Sequence, residues 1–333
     1  MRRWRLPEET GIFIILVVVA IVMSFLSENF RTMSNLQILL LNGAVIAFLA
    51  MGQTFVLLTG GIDLSTGSNI AMTGVLAAVV MKAGLSWPIA ALIAILAGMA
   101  LGMFNGYFIH HVGLPPFIVT FCTFGVAASI PLIITGANSV SVKDPGFAVI
   151  GRGHMLGMPM PIFLVIVAAV ILTIILRYTP LGTQIYAVGG NVEASRLAGV
   201  NIGRIILTVY AVSGICAAMG GLITASRLMV GYPSAGSGNE LFFSIAAAVV
   251  GGVSLFGGVG SIPGALLGAI LIATVSNGMN VLGVPSYWQP LVIGLIILAG
   301  VTLDTYRQKV SISDIFRSPK RDAHAASSLD SVS

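Results

Sequence analysis

The stretch P-L-G-T-Q-I-Y-A-V-G-G-N-V-E-A-S-R-L-A-G-V-N-I-G-R-I-I-L-T-V-Y-A-V-S, from Pro180 to Ser213, is the main polar break in a chain otherwise built of apolar runs. Glu193, Arg196 and Arg204 stand in it, whereas the runs on either side carry almost no charge. It reads as a connector exposed to cytoplasm between two membrane-spanning halves. Inside it the signals for one short helix are nearly complete. Asn191 is placed to cap the N-terminus, Glu193 falls in the first turn, Arg196 lies toward the end, and Gly199 follows as a stop. That makes about two turns, whereas an isolated helix in water needs roughly a dozen residues. A partner protein is therefore expected to hold it, and the plainer alternative is a linker that happens to be helical.

Composition sets the class. Of the 333 residues, 57% are hydrophobic and 8% charged, against about 25% charged in soluble domains. The mean hydropathy is +1.02, as in an integral membrane protein. A charge at mid-bilayer costs roughly 2.5 to 3.5 kcal/mol on insertion scales, which accounts for the confinement of most charge to ends and connectors. The net charge of +5 thus bears on topology and not on nucleic acid. Cys122 and Cys216 fall inside apolar runs as small packing residues, and no disulfide framework is implied.

About 20 apolar residues cross a bilayer, and ten segments approach that length: 10–27, 36–59, 67–83, 87–109, 116–135, 161–178, 205–226, 240–256, 262–282 and 288–304. The third and eighth are short and bordered by Gly-rich polar motifs. Such segments read as broken or partly re-entrant helices, tolerated only against protein or a watery cavity. The first run follows Arg2, Arg3, Trp4 and Arg5 without a small-x-small cleavage site, so it is expected to stay as a span.

Orientation follows from Lys and Arg. With the N-terminus inside, Arg2, Arg3, Arg5, Arg177, Arg196, Arg204, Arg307, Lys309, Arg317, Lys320 and Arg321 fall on the cytoplasmic side. Only Arg31, Lys82, Lys143, Arg152 and Arg227 fall outside, so both termini are expected in the cytoplasm.

Internal repetition supports five plus five spans. At an offset of 170, Thr66–Asn69 (T-G-S-N) faces Gly236–Asn239 (G-S-G-N), and A-A-V-V recurs at Ala77 and Ala247. A rival register pairs G-G-x-x-L-x-x-G at Gly60 and Gly251, but it relates connectors six spans apart. An odd number of spans per half makes the repeat inverted, with sites expected near the midplane. Glycines at every fourth position (Gly98, Gly102, Gly106 and Gly260, Gly264, Gly268) suit close helix approach, within one subunit or across a dimer. The segment from Gly136 to Pro161 reads as an outside loop, long enough to receive a docking protein or simply solvated.

Chemistry of the enzymatic kind is missing. None of the four lysines follows Gly in a G-x-x-x-x-G-K-[ST] loop, and no H-E-x-x-H exists. His110 and His111 lie together in a short inside connector as a polar turn. No cofactor is implied, and an intramembrane enzyme would need a nucleophile-and-base or metal-ligand arrangement that the chain does not offer. Ionisable groups near membrane depth are Asp63, Arg227, Glu240 and Asp304, of which Arg227 and Asp304 sit at span ends. Asp63 and Glu240 border the two short spans, as pathway groups or as braces for broken backbone. Asn69, Asn105, Asn239 and Asn277 add neutral hydrogen-bonding groups suited to a hydroxylated solute. The candidate translocation residues are Asp63, Asn69, Asn239 and Glu240.

Three stretches carry a resemblance. E-A-S-R-L-A-G (Glu193–Gly199) resembles the E-A-A-x-x-x-G coupling element of permease subunits in ATP-driven importers, with Ser195 at the second Ala. T-G-G-I-D-L-S-T-G-S (Thr59–Ser68, with Thr66 where Val is usual) and A-V-V-G-G-V-S-L-F-G-G-V-G-S-I-P-G-A-L-L-G-A (Ala248–Ala269) are similar to ribose-, xylose- and galactose-type permeases. The resemblance covers about Asn29 to Tyr306. It implies an all-α bundle of about ten spans in two inverted five-span halves. One transmembrane domain would cover 1–310, with halves of about 1–140 and 155–305 joined through the 180–206 coupling region, and a disordered tail over 311–333. It further implies a bacterial inner-membrane location, import of a monosaccharide or similar polyol, and a separate ATPase docked on Asn191, Glu193, Ala194, Arg196 and Gly199. A periplasmic sugar-binding protein and a second permease copy, embedded in membrane lipid, complete the expected assembly. The rival class is a self-sufficient ion-coupled transporter, for which the sequence offers only two isolated acids.

Overall fold

The computed structural model describes residues 9–236 and 238–317. Among them are thirteen α-helices: α1 (Thr10–Leu26), α2 (Met33–Leu58), α3 (Thr66–Lys82), α4 (Trp87–His110), α5 (Pro116–Thr135), α6 (Ala148–Arg152), α7 (Met160–Tyr178), α8 (Pro180–Gly190), α9 (Val192–Leu197), α10 (Ile202–Leu228), α11 (Glu240–Val250), α12 (Ile262–Val281) and α13 (Gln289–Arg317). The fold is a mostly helical membrane-protein bundle. Six helices (α2, α4, α5, α7, α10 and α12) are long and apolar enough to cross a membrane, while α1, α11 and the Ser286–Thr302 segment are shorter apolar helices. The two segments read as short are short here too. Helix α3 has 17 residues and α11 only 11, which is roughly 16 Å of rise against an apolar bilayer core of about 30 Å. The expected 240–256 segment stops early because Gly252, Gly257, Gly258 and Gly260 all take positive φ in the loop behind it.

Helices α2 and α10 form the centre. Helix α10 packs on α2, α3 and α4, and α2 packs on α10, α11 and α12, so exchanging the two halves of the chain reproduces the same neighbours. Both central helices are buried along most of their length, with Leu49, Phe55, Val56, Val209, Tyr210 and Ile223 shielded from solvent. The glycine row on α4 serves this packing within the chain. A Cβ at Gly102 would overlap the Tyr210 carbonyl oxygen, and one at Gly106 would press on Leu207. Backbone-to-backbone approach of this kind substitutes for the hydrophobic effect between helices in lipid. The outer faces are apolar instead: Phe117, Phe121 and Ile133 of α5 are exposed, as are Val170 and Ile171 of α7.

The Gly136–Pro161 segment is more ordered than a solvated loop. Strand β1 (Val140–Ser141) pairs antiparallel with β4 (Val230–Gly231), just past the end of α10. Helix α6 is tied to the same place, because Ser226 Oγ donates to the Phe147 carbonyl (2.5 Å) and accepts from Gly151 N (2.8 Å). A second small pair joins β2 (His154–Met155) to β3 (Met158–Pro159). Helix α13 continues to Arg317 and so overlaps the start of the tail expected from residue 311; residues 318–333 lie outside the described residues, as do Arg2, Arg3 and Arg5.

Candidate functional site

Two places hold the residues singled out from the sequence. The first is where α3 and α11 begin. After α10 the chain turns back along α3: Gly231 lies against Val75 and Ala78, and Gly236 lies against Gly67 and Ile70. That descent covers about eight residues of α3, roughly 12 Å, so α11 starts level with the first turn of α3. The T-G-S-N and G-S-G-N motifs thereby meet, Gly67 touching Gly236.

Asp63, just ahead of α3, is buried and bonded on both oxygens. Oδ1 accepts from Ser65 N (2.9 Å) and Ser65 Oγ (2.6 Å), and Oδ2 accepts from Ser213 Oγ of α10 (2.7 Å). Asn105 of α4 donates to Ser65 Oγ (2.9 Å), while Tyr210 and Thr120 donate to the Ile62 carbonyl (3.1 and 3.3 Å). The break between α2 and α3 is thus tied to α4, α5 and α10 by hydrogen bonds, as the backbone of a non-helical segment inside a bundle requires. Asn69 belongs with it: Nδ2 donates to the Gly214 carbonyl (3.3 Å), and the buried Oδ1 makes no hydrogen bond.

Glu240 opens α11 and behaves differently. Its Oε2 is buried without a hydrogen-bond partner. It lines a cavity of about 510 Å³ between the first half of α2, the end of α10, the start of α11 and the end of α12. Asn42, Thr224, Arg227, Tyr232, Ser276 and Asn280 face the same space. Arg227 reaches across it to Asn42 Oδ1 (3.0 Å), and Asn277, also in the lining, exchanges two amide bonds of 3.0 Å with Asn35. Asn239 stands at the cap position of α11, makes no capping bond through its side chain and is not in the lining. Of the four candidate pathway residues, then, only Glu240 reaches the cavity; Asp63 and Asn69 sit in the neighbouring buried network. Asn42, Thr224 and Asn280 were invisible to sequence reading because one polar residue in a span carries no phase, and Arg227 looked like an ordinary span-end cation.

The second place is the polar connector, which holds two helices where one was expected. Thr179 caps α8, accepting from Gly182 N (3.4 Å), with Pro180 at the first position. The T-P pair was a legible start signal beside the stronger one at Asn191. Gly182, Ile185 and Val188 bury the inner face of α8. Burial also raises the Tyr186 phenol above its ordinary pKa, with Arg177 pulling the other way, and its hydroxyl donates to the Gly260 carbonyl (2.8 Å).

Helix α9 follows its signals closely. Asn191 Oδ1 accepts from Ala194 N (2.9 Å). Gly199 N bonds the Arg196 carbonyl and Val200 N the Ser195 carbonyl, both at 3.0 Å, with Gly199 at φ +81°. That pair of bonds with a left-handed residue is a Schellman stop. Glu193 and Arg196 form an exposed ion pair at 3.1 Å, worth about 0–1 kcal/mol. Ser195 alone is buried, whereas Leu197 is 89% exposed and Val192 40%. Those two apolar side chains on a polar connector were not picked out from the sequence.

The comparisons with known proteins decide what this arrangement is. Residues 35–301 match the model of a family described as branched-chain amino acid transport system / permease component. The chain belongs to this permease-component family. Among its relatives, the permease is 39% identical over 299 residues to a ribose import permease protein of Bacillus subtilis (strain 168), covering 89% of this chain and 92% of the relative. It is 38% identical to a D-allose transport system permease protein of Escherichia coli (strain K12), over 88% and 90% of the two chains. It is 36% identical to an L-arabinose ABC transporter permease protein of Azospirillum brasilense, over 92% and 90%. No solved structure matches the permease. As a permease component it is a membrane subunit that does not itself carry the ATPase.

Proposed function

We propose that this permease imports a monosaccharide or similar polyol, delivered by a periplasmic binding protein and driven by a separate ATPase bound at α9. The carrying observation is the cavity at the start of α11, which presents amides and hydroxyls from three helices and from the loop before α11 beside Glu240. Neutral donors and acceptors of this kind suit a polyol, and the relatives named for ribose, D-allose and L-arabinose point to the same class. Arg227 lines the same cavity and donates one hydrogen bond to Asn42 Oδ1.

The reading includes ten spans in two inverted halves with both termini cytoplasmic. The exchange-symmetric packing of α2 and α10 supports it, as does the meeting of two short helices at their N-terminal ends, a plan common in transporters built on repeats. It places α9 on the cytoplasmic face of the bacterial inner membrane and the β1–β4 and α6 region on the outside, where the binding protein docks. The exposed apolar faces of α5 and α7 meet lipid or a second permease copy. Docking on α9 uses Leu197 and Val192 as its apolar contact, with Asn191, Glu193, Ala194, Arg196 and Gly199 shaping the helix. The test is to purify the binding protein, identify its ligand by mass spectrometry and follow uptake of that compound. A sugar or polyol is expected; an amino acid taken up through this permease would overturn the substrate assignment.

A further inference from the structure

Three stretches of backbone meet beside the start of α9 with no side chain between them. Gly258 N donates to the Leu58 carbonyl at the end of α2 (2.9 Å). A Cβ on Gly189, near the end of α8, would overlap that same carbonyl and Gly258 N. Gly257, at φ +90°, leaves room for Gly189 O and Gly60 N, where a Cβ would come within 2.9 and 3.0 Å. Tyr186, one turn earlier on α8, bonds the Gly260 carbonyl. The end of α8 is therefore wedged between the break that leads into α3 and the loop that leaves α11. Asn191, two residues past Gly189, opens α9.

We propose that this junction of Leu58, Gly189, Gly257 and Gly258 is the joint through which movement of α9 reaches both short helices at once. The inference rests on the reading of α9 as the ATPase-docking element. Packed backbones transmit displacement because they have no side-chain rotamers to absorb it, and close packing resists compression. A rotation of α8 must shift the Leu58 carbonyl and the Gly257–Gly258 peptides together. Those two segments flank the Asp63 network on one side and α11, with Glu240 at its far end, on the other. One α8 motion would thus act on both breaks, and the two would not move independently.

Adjacent glycines supply the test, since Gly190 faces open space while Gly189 does not. Gly189→Ala, Gly190→Ala and Tyr186→Phe are compared in vesicles holding permease, ATPase and loaded binding protein, reading solute imported per ATP hydrolysed and ATPase retained on purification. Gly189→Ala is expected to keep the ATPase and hydrolyse ATP while import per ATP falls about tenfold. Tyr186→Phe should show a smaller fall in the same direction, and Gly190→Ala should match wild type. Import per ATP in Gly189→Ala equal to that in Gly190→Ala would overturn the joint, as would a folded Gly189→Ala permease that has lost its ATPase. If Gly189→Ala does not fold, a wild-type ratio in Tyr186→Phe overturns it. Gly199→Val separates the two ideas: ATPase retained at wild-type yield there refutes docking at α9, whatever the joint does.

Discussion

The two acids that border short helices look alike in sequence and end in different chemistry. Asp63 has every carboxylate oxygen occupied by donors from its own loop and from α10, deep in the bundle. Glu240 keeps an unpartnered oxygen and faces a cavity of about 510 Å³. The difference teaches that a break in a membrane helix poses two separate problems. Its freed backbone must be satisfied, which Asp63 does by ordering Ser65, Ser213 and, through Ser65, Asn105. A break also leaves room for polar groups to face the interior of the bundle, and Glu240 lines such a cavity. The two acids thus differ in setting, Asp63 bracing a break in the backbone and Glu240 facing a cavity.

The largest expected effect comes from Asp63→Ala. It leaves Ser65 N, Ser65 Oγ and Ser213 Oγ without their acceptor in a buried site, at a cost of about 1–3 kcal/mol for each group left unsatisfied. Folded yield and melting temperature in detergent should fall sharply, with Asp63→Asn falling less. Wild-type stability in Asp63→Ala would abolish the distinction. Next is Glu240→Gln, which keeps size and removes charge. Its melting temperature should stay near wild type while apparent affinity in uptake changes about tenfold, the scale of one hydrogen bond to a charged group. If it instead unfolds like Asp63→Ala, Glu240 is a second brace. The smallest is Asn239→Ala: with no side-chain capping bond to lose, uptake and stability should both stay near wild type, within about 0.5 kcal/mol in stability. A large loss there would mean that the pathway extends past the cavity lining.

Much of this is legible in the sequence. The short helix at Asn191–Gly199 had a capping side chain, an acid in the first turn, a base toward the end and a glycine stop, all local signals, and each takes the position read for it, although the ion pair between Glu193 and Arg196 was not read. The weakness of the third and eighth apolar segments was equally local, and both fall on short helices. Legibility failed where a residue's role depends on what crosses from elsewhere. Nothing near Asn42 in sequence announces Arg227, 185 residues away, and nothing in G-G at Gly189 announces the Leu58 carbonyl. The second connector helix, α8, was missed for another reason. Its apolar inner face, Ile185 and Val188, is too brief to show a period, and the T-P start was outweighed by the neighbouring polar run.

The central claim is that this permease moves solute only when a separate ATPase works through α9. The direct measurement is uptake of the binding protein's own ligand by vesicles reconstituted with permease, ATPase and loaded binding protein, with ATP or with an imposed proton or sodium gradient as the energy source. Uptake is expected with ATP alone, and it should vanish in Gly199→Val, where a β-branched residue is forced into the left-handed conformation that ends α9. Uptake driven by an ion gradient through the permease without ATPase, or wild-type ATP-driven import in Gly199→Val, would contradict it.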